Sequence, residues 1–323
     1  LALGNDDLKW QSTVQKNFGL DLGMWKDRLT LTFNYYHKLS ENSLTDVTLP
    51  PSLGFPSYKE NLGEVVNEGW EFTLRGFVVK KEDFNIMLSV NGAQNNNKLK
   101  KISNSLKAFN EEQDKQVENK VMARYVEGQS LNTIWVVRSL GIDPANGKEL
   151  FLDKNGKRTY DWNADDYVAE ATTDPRLYGN LGLGIFYRGF SLNTYVNYSL
   201  GEKAYNQTLV DRVENADKHY NCDRRVLYDR WHKPGDETFF KDVKDASVTR
   251  PTSRFVQKNN YLNMTSLNVA YEFNPRLLEP LRIKYLKLAF YMTDLFRIST
   301  MKAERGLDYP FARTVAFSLG LTF

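Results

Sequence analysis

The sequence predicts an all-β fold, a transmembrane antiparallel β-barrel, and three observations carry that expectation. Strand-length segments alternate apolar with polar or small residues, their apolar faces carry no charge, and the connections between them are alternately short and long. The clearest segment is the last thirteen residues, Phe311 to Phe323. Val315, Phe317, Leu319, Leu321 and Phe323 fall on one side of it, and Thr314, Ala316, Ser318, Gly320 and Thr322 on the other. Successive side chains of a strand point to opposite faces. Such a strand suits lipid on its apolar side and water on its polar side.

Composition narrows the alternatives. The chain has 323 residues, 26% of them charged, and a net charge of +3, so no strong global attraction to nucleic acid is expected. No apolar run reaches the roughly 18 residues of a membrane helix, so a membrane role requires strands. Cys222 is the single cysteine, which excludes an internal disulfide, and no Cys/His cluster has metal-ligand spacing. No cofactor is implied, and Cys222 reads as an ordinary loop residue. The first residues, Leu1 to Asn5, lack a basic segment followed by an apolar one, so no secretory signal is visible. For a membrane protein this suggests a fragment.

Taken in order, the period-two segments build hairpins. Val14, Phe18, Leu20, Leu22 and Met24 oppose Gln15, Asn17, Gly19, Asp21 and Gly23; after Trp25 to Arg28, Leu29, Leu31, Phe33 and Tyr35 oppose Thr30, Thr32, Asn34 and Tyr36. Trp70, Phe72, Leu74, Gly76 and Val78 form the next apolar face. Beyond the charged turn Lys80 to Asp83 comes the series Phe84, Ile86, Leu88 and Val90. Leu181, Leu183, Ile185 and Tyr187 turn through Arg188 and Gly189 into Phe190, Leu192, Thr194, Val196 and Tyr198. Leu267, Val269, Tyr271 and Phe273 precede a Pro-containing link, followed by Leu286, Leu288, Phe290 and Met292. With the terminal segment this makes about nine crossings, of the length that tilted membrane strands need.

Asp21, Glu71, Arg75, Glu272 and Lys287 all fall on polar faces. A cation at the bilayer midplane costs about 2–4 kcal/mol, which keeps charge on the lumen side. Connections are short at 25–28, 80–83, 188–189 and 274–282, and long at about 40–60, 94–176, 201–255 and 297–309. Short periplasmic turns and long extracellular loops produce this rhythm. If the last strand ends at the periplasmic side, the chain begins inside an extracellular loop. Parity allows two further crossings within 94–176, eleven in all. The preferred reading puts a hairpin there instead, pairing Thr133 to Arg138 with Glu149 to Asp153. Nine strands leave two open edges, which lipid does not tolerate, so a partner segment is expected to close the barrel.

Several segments resemble a known family. Asp6 to Trp10, Gly19-Leu20-Asp21, Asn34-Tyr35-Tyr36, Asn61-Leu62-Gly63, Asn67 to Glu71 and Tyr309 to Arg313 look like the carboxy-terminal half of TonB-dependent outer-membrane receptors. Glu127-Gly128-Gln129, Gly141-Ile142-Asp143, Asp153 to Gly156, Arg230 to Asp236 and Ser253 to Gln257 are similar to the SusC/RagA branch of Bacteroidetes. Thr293 to Phe296 departs from the family, which usually has Asn where this chain has Asp294. The resemblance implies the last nine strands of a 22-stranded barrel in the outer membrane. It further implies active import of an oligosaccharide or peptide through TonB, with a SusD-like surface lipoprotein. The plug, the TonB-contact segment and the first half of the barrel have no counterpart in this sequence.

By that resemblance the loops at 94–176 and 201–255 face the lipoprotein and the ligand. Their candidate contacts are Trp135, Trp162, Tyr220, Arg230, Trp231 and Asp236, since aromatic faces stack on sugar rings or pack on a partner. The plainer reading is favoured for each: the aromatics pack loop against loop or sit in an interfacial belt, and Arg230 and Asp236 pair around the Pro234-Gly235 turn. Asn146-Gly147 and Asn155-Gly156 are turn formers. Lys98, Lys100 and Lys101 read as a solvated loop stem or a contact for outer-leaflet lipid phosphate. His37, His219 and His232 have no partner at diagnostic spacing, and Asp165-Asp166 reads as a solvated pair, so the chain is not expected to be an enzyme. Two other classes stay open, a porin-like barrel and a soluble carbohydrate-binding β protein.

Overall fold

Nine long strands lie where the alternation is strongest, and they pair in sequence order. In the computed structural model, which describes residues 4–48, 54–55, 57–61, 63–115, 119–217, 219–302 and 312–323, the first four are β1 (Ser12–Met24), β2 (Leu29–Glu41), β3 (Gly63–Lys80) and β4 (Phe84–Ile102). Then follow β5 (Leu177–Tyr187), β6 (Phe190–Leu200), β7 (Tyr261–Glu272), β8 (Tyr285–Thr293) and β9 (Val315–Thr322). All neighbours are antiparallel, and Arg297–Ser299 adds a short strand against the start of β7. Because β4 pairs directly with β5, the segment between them adds no strand to this sheet. Among the described residues β1 and β9 are its two edges.

Register turns separate alternations into continuous faces. One row runs Met24, Leu29, Gly76, Leu88, Leu183, Thr194, Leu267, Met292, Val315 across all nine strands. The next row toward the short turns reads Ile86, Ile185, Leu192, Val269, Phe290, Phe317, and beyond it Phe84, Tyr187, Phe190, Tyr271, Leu288, Leu319. At the loop end Phe18, Tyr35 and Trp70 stand in one row with Gln94, which accepts the Trp70 indole N–H at 2.8 Å. Six such rows, two residues apart on strands tilted by about 40°, give an apolar band about 25 Å tall with aromatic rims, the dimension lipid requires. Asp21, Glu71, Arg75, Glu272 and Lys287 all stand on the opposite face, Glu272 beside Lys287.

The short turns use backbone that suits tight reversal. Arg188 and Gly189 both have positive φ, 44° and 86°, the two-residue hairpin geometry that matches strand twist. A Cβ at Gly189 would come within 2.3 Å of the Glu272 carbonyl oxygen, so the position admits no side chain. Asn274 caps a single helical turn, Pro275–Leu278, by accepting from the Arg276 N–H.

Three register shifts depart from a strict period of two. At Val78, expected on the apolar face, a bulge opposes Phe77 to Met87 and Val79 to Ile86, so Val78 is the extra residue and Val79 also takes an outward place. A second bulge leaves Thr265 as the extra residue in β7, which keeps Asn263 opposite Asn197 on the polar side. A third shift leaves Lys100 extra in β4. Strand β4 also continues to Ile102, past the expected start of a loop at 94. There the strands rise above the apolar band, so pairing persists where lipid no longer imposes alternation. Phe311 and parts of the expected loops at 40–60 and 297–309 lie outside the described residues.

Leu183→Arg, in the row that crosses all nine strands, is expected to destabilise the barrel by about 2–4 kcal/mol, while Asn193→Lys on the opposite face costs less than about 1 kcal/mol. Reversible urea unfolding in lipid vesicles measures both.

Candidate functional site

The polar face of the sheet and the two large loops above it are the candidate site. On the polar face Asp21, Thr32, Thr73, Asn91, Asn180, Asn197 and Asn263 stand in one row. Asn91 Oδ1 accepts both the Asn180 backbone N–H at 2.9 Å and its side-chain amide at 3.3 Å. Higher up, Tyr36 donates to Asn95 at 2.8 Å, and Asn95 and Asn97 both donate to Asn67. Asn97 Oδ1 also accepts the Leu131 N–H at 3.1 Å, which joins the wall to the loop above it. A cleft of about 270 Å³, lined by Thr32, Asn34, Glu71, Asn91, Tyr178 and Asn180, is set into this wall.

Above the wall, the segment between β4 and β5 forms its own small sheet. Its strands are Thr133–Ile142, Glu149–Leu152, Arg158–Thr159 and Tyr167–Thr172. A hairpin does form here, but it pairs Arg138–Ile142 with Glu149–Leu152, and Thr133–Val137, expected in it, pairs with Tyr167–Thr172 instead. The loop between β6 and β7 packs onto it through a parallel bridge between Val137 and Thr252, around a core of Val210, Val213, Val226, Phe240 and Phe255. The two loops thus form one body.

A buried ionic cluster ties them. Arg254 Nη2 lies 2.7 Å from Glu149 and 2.6 Å from Glu214, while Nη1 donates to the Phe239 carbonyl at 2.6 Å. The three side chains are 4%, 8% and 0% exposed, so these ions are withdrawn from water. Burial works against the Arg254 charge, but Glu149 and Glu214 outweigh it and raise its pKa above the ordinary arginine value. Arg230 is buried beside them. It donates to the carbonyls of Val226 at 2.7 Å and Lys241 at 3.0 Å, and also to those of Val213 and Glu214. Its pKa is lowered by burial, with Glu214 opposing.

Each loop is also clasped at its base by one carboxylate. Asp174 accepts from Ser130 at 2.5 Å, Asn132 at 2.7 Å and Thr172 at 2.9 Å. Glu202 accepts from Ser199 at 2.9 Å and Asn259 at 2.6 Å.

The residues proposed from sequence occupy distinct places in this body. Trp135 lies in the central strand of the small sheet, 8% exposed, with Arg124 over its ring at 5.8 Å. Trp162 donates to the Pro251 carbonyl at 3.1 Å and carries Arg250 on its ring at 4.9 Å. It lines a cleft of about 700 Å³ with Tyr160, Lys148 and Val248. Trp231 donates to Pro144 at 2.9 Å and lies against Gly147, whose Cβ would meet the ring at 2.5 Å. Asp236 accepts the backbone N–H groups of His232 and Lys233 at 3.1 and 3.0 Å, so it and Arg230 each serve backbone groups rather than the expected mutual pair. Tyr220 stands 76% exposed beside a separate cleft of about 730 Å³. Glu149, Glu214 and Arg254 escaped sequence reasoning, because a buried triad drawn from two loops has no local spacing.

With this geometry in view, known proteins give the chain its family. The family model described as TonB dependent receptor-like, beta-barrel, matches residues 1–216, two thirds of the sequence. The chain therefore belongs to the TonB-dependent receptor β-barrel family and is the barrel portion of an outer-membrane protein. It is 26% identical to the TonB-dependent receptor SusC of Bacteroides thetaiotaomicron over 349 residues, covering 98% of this chain and 32% of SusC. To the TonB-dependent receptor P39 of Formosa agariphila it is 24% identical, covering 87% of this chain and 31% of that one. A solved structure of the RagAB peptide importer in its open-open state shares the fold, with a TM-score of 0.78 and 21% identity across the whole chain and 36% of that chain. This chain spans about a third of the length of the curated relatives it matches.

Arg254→Met leaves Glu149 and Glu214 buried without their cation and is expected to loosen the loop body by about 3–5 kcal/mol. Limited proteolysis should then cut within 133–255 while the barrel keeps its heat-modifiable gel mobility. Gly147→Ala, at φ +71° and against Trp231, should open the same body near Pro144. A pH effect follows from Asp223, whose carboxyl is held at about 2 by the Arg225 side chain. A depressed acid stabilises the fold above the ordinary carboxylate range, and that contribution disappears as pH falls from about 4 to about 2. Asp223→Asn should therefore raise hydrogen exchange in 223–228 at pH 7, and the difference from the parent chain should vanish near pH 2.

Proposed function

We propose that the complete protein imports an oligosaccharide or peptide across the outer membrane, powered through TonB, and that this chain supplies one wall of its barrel and a loop body over its mouth. The observation that carries the reading is the two-sided sheet: a charge-free apolar band faces lipid, and a largely polar wall on the other face runs beneath clefts at the loop end. The kinship with SusC, and the fold shared with the RagAB peptide importer, support it.

On this reading the long loops are extracellular and the short turns periplasmic. Upstream barrel and plug segments close the sheet between β1 and β9, because lipid offers no partner to an open strand edge. A SusD-like lipoprotein covers the mouth. Tyr220, with its exposed ring, and Trp162, on the rim of the cleft it shares with Tyr160 and Lys148, contact ligand or lipoprotein; Trp135, Trp231, Arg230 and Asp236 hold the loops in the shape that presents them.

Cells carrying the complete transporter should accumulate labelled ligand from a panel of oligosaccharides and peptides, and accumulation should fall at least tenfold when TonB is deleted. Uptake that persists without TonB marks a passive porin and overturns the proposal.

A further inference from the structure

Strict alternation breaks at the loop end of β4, and the break sets three lysines on the outer face. Phe18, Tyr35, Trp70 and Gln94 form the upper rim of the apolar band on β1 to β4. Above that rim the outward residues of β4 are Asn96 and Lys98, opposite Glu68 and Val66 of β3. Leu99 points the other way, into a cluster with Val65 and Leu106 against which Ile102 also packs. An unbroken period of two would turn Lys101 into that cluster and Ile102 out of it. The extra residue Lys100 prevents this: Val65 stays opposite Leu99, and Glu64 faces the bulged pair Lys100 and Lys101. Lys98, Lys100 and Lys101 therefore share the outward side, and all three are exposed. The partner strand makes room with Gly63, at φ +106°, where a Cβ would run into the Lys101 carbonyl oxygen.

Charges on this face do not cancel locally. Its carboxylates are Glu41, Glu64 and Glu68, and Lys16 and His37 stand in the row of Glu68. Glu64 meets Lys100 at 3.1 Å, Glu41 accepts the Ser12 hydroxyl at 3.4 Å, and Glu127 of the adjoining loop accepts the Ile102 N–H at 3.1 Å. Among the described residues Lys98 and Lys101 meet no carboxylate. Their height matches a membrane surface. Each two-residue step on a strand tilted by about 40° climbs about 5 Å, so Lys98, two steps above Gln94, stands about 10 Å beyond the band. The headgroup layer there is about 5–7 Å thick. A lysine just outside it lays its stem back along apolar surface, here Val66, and brings its ammonium group to the phosphates.

We infer that Lys98, Lys100 and Lys101 form a docking patch for the phosphate groups of outer-leaflet lipid, continuous with the lipid-facing band below. Phosphate accepts from several ammonium groups at once and supplies the counter-charge that Lys98 and Lys101 lack. The patch fastens the upper ends of β3 and β4 to the membrane surface, at the point where the wall passes into the loops. The inference takes its leaflet from the orientation proposed above and is independent of what the transporter carries.

Native mass spectrometry tests the patch on the complete transporter, stripped of lipid and then offered lipid A or the same lipid with its phosphates removed. Lipid A is expected to stay bound, and the dephosphorylated form to be retained about tenfold less or weaker still. Lys98→Gln/Lys100→Gln/Lys101→Gln should lower lipid A retention by a similar factor. Lys98→Arg/Lys100→Arg/Lys101→Arg should keep it, as should Lys26→Gln/Lys81→Gln at the short turns. Heat-modifiable mobility of each variant shows that the barrel has formed. Equal retention of the two lipids, or full retention by the glutamine triple variant, overturns the patch and leaves the import reading standing. On intact cells, a membrane-impermeant amine reagent that labels Lys26 and Lys81 overturns the orientation on which both rest.

Discussion

Everything in this structure depends on the hydrogen-bonded register of the nine-strand sheet. Lipid offers no partner to backbone N–H and C=O groups, so a membrane-crossing strand must bond to its neighbours along its length. A one-residue slip would carry every side chain to the opposite face, placing Asn91 and Asn180 in lipid and Leu88 and Leu183 in water. The bulges show how closely this is kept. Without the extra residue Thr265, the register that sets Leu267 outward would turn Asn263 outward too. With it, both Met264 and Leu267 lie in the apolar rows, and Asn263 completes the amide row.

The loop body solves a different problem. Its segments are long, polar and short of regular pairing, yet they form a unit because Arg254 gathers Glu149 from one loop and Glu214 from the other. Such a cluster does not maximise stability, since apolar residues of the same volume would avoid the desolvation of three ions. It does specify one arrangement, because any other docking strands a charge. Arg230 extends the same logic to backbone, meeting carbonyls that the irregular loops leave without strand partners.

Wall and loops are joined by local polar contacts and by one apolar cluster. Asn97 holds Leu131, Asp174 gathers Ser130, Asn132 and Thr172, and Glu202 holds Ser199 and Asn259. Val65 of β3 and Leu99 of β4 also pack with Leu106 and Leu131 of the loop, while a second core lies within the loop between β6 and β7.

The sequence by itself determined the strands, their order and the sides they present. Lipid writes a period of two into each crossing, and Leu183, Leu192 and Phe317 carry that signal without help from neighbours. The signal stops where lipid stops, which is why β4 outran its expected end among Asn95, Asn97 and Lys98. Tertiary structure decided what is not periodic: the bulge at Val78, the burial of Trp135, the stacking of Trp231 on Gly147, and the triad of Glu149, Glu214 and Arg254. Those contacts join residues separated by as many as 105 positions, and no local pattern encodes which distant partner a loop side chain will meet.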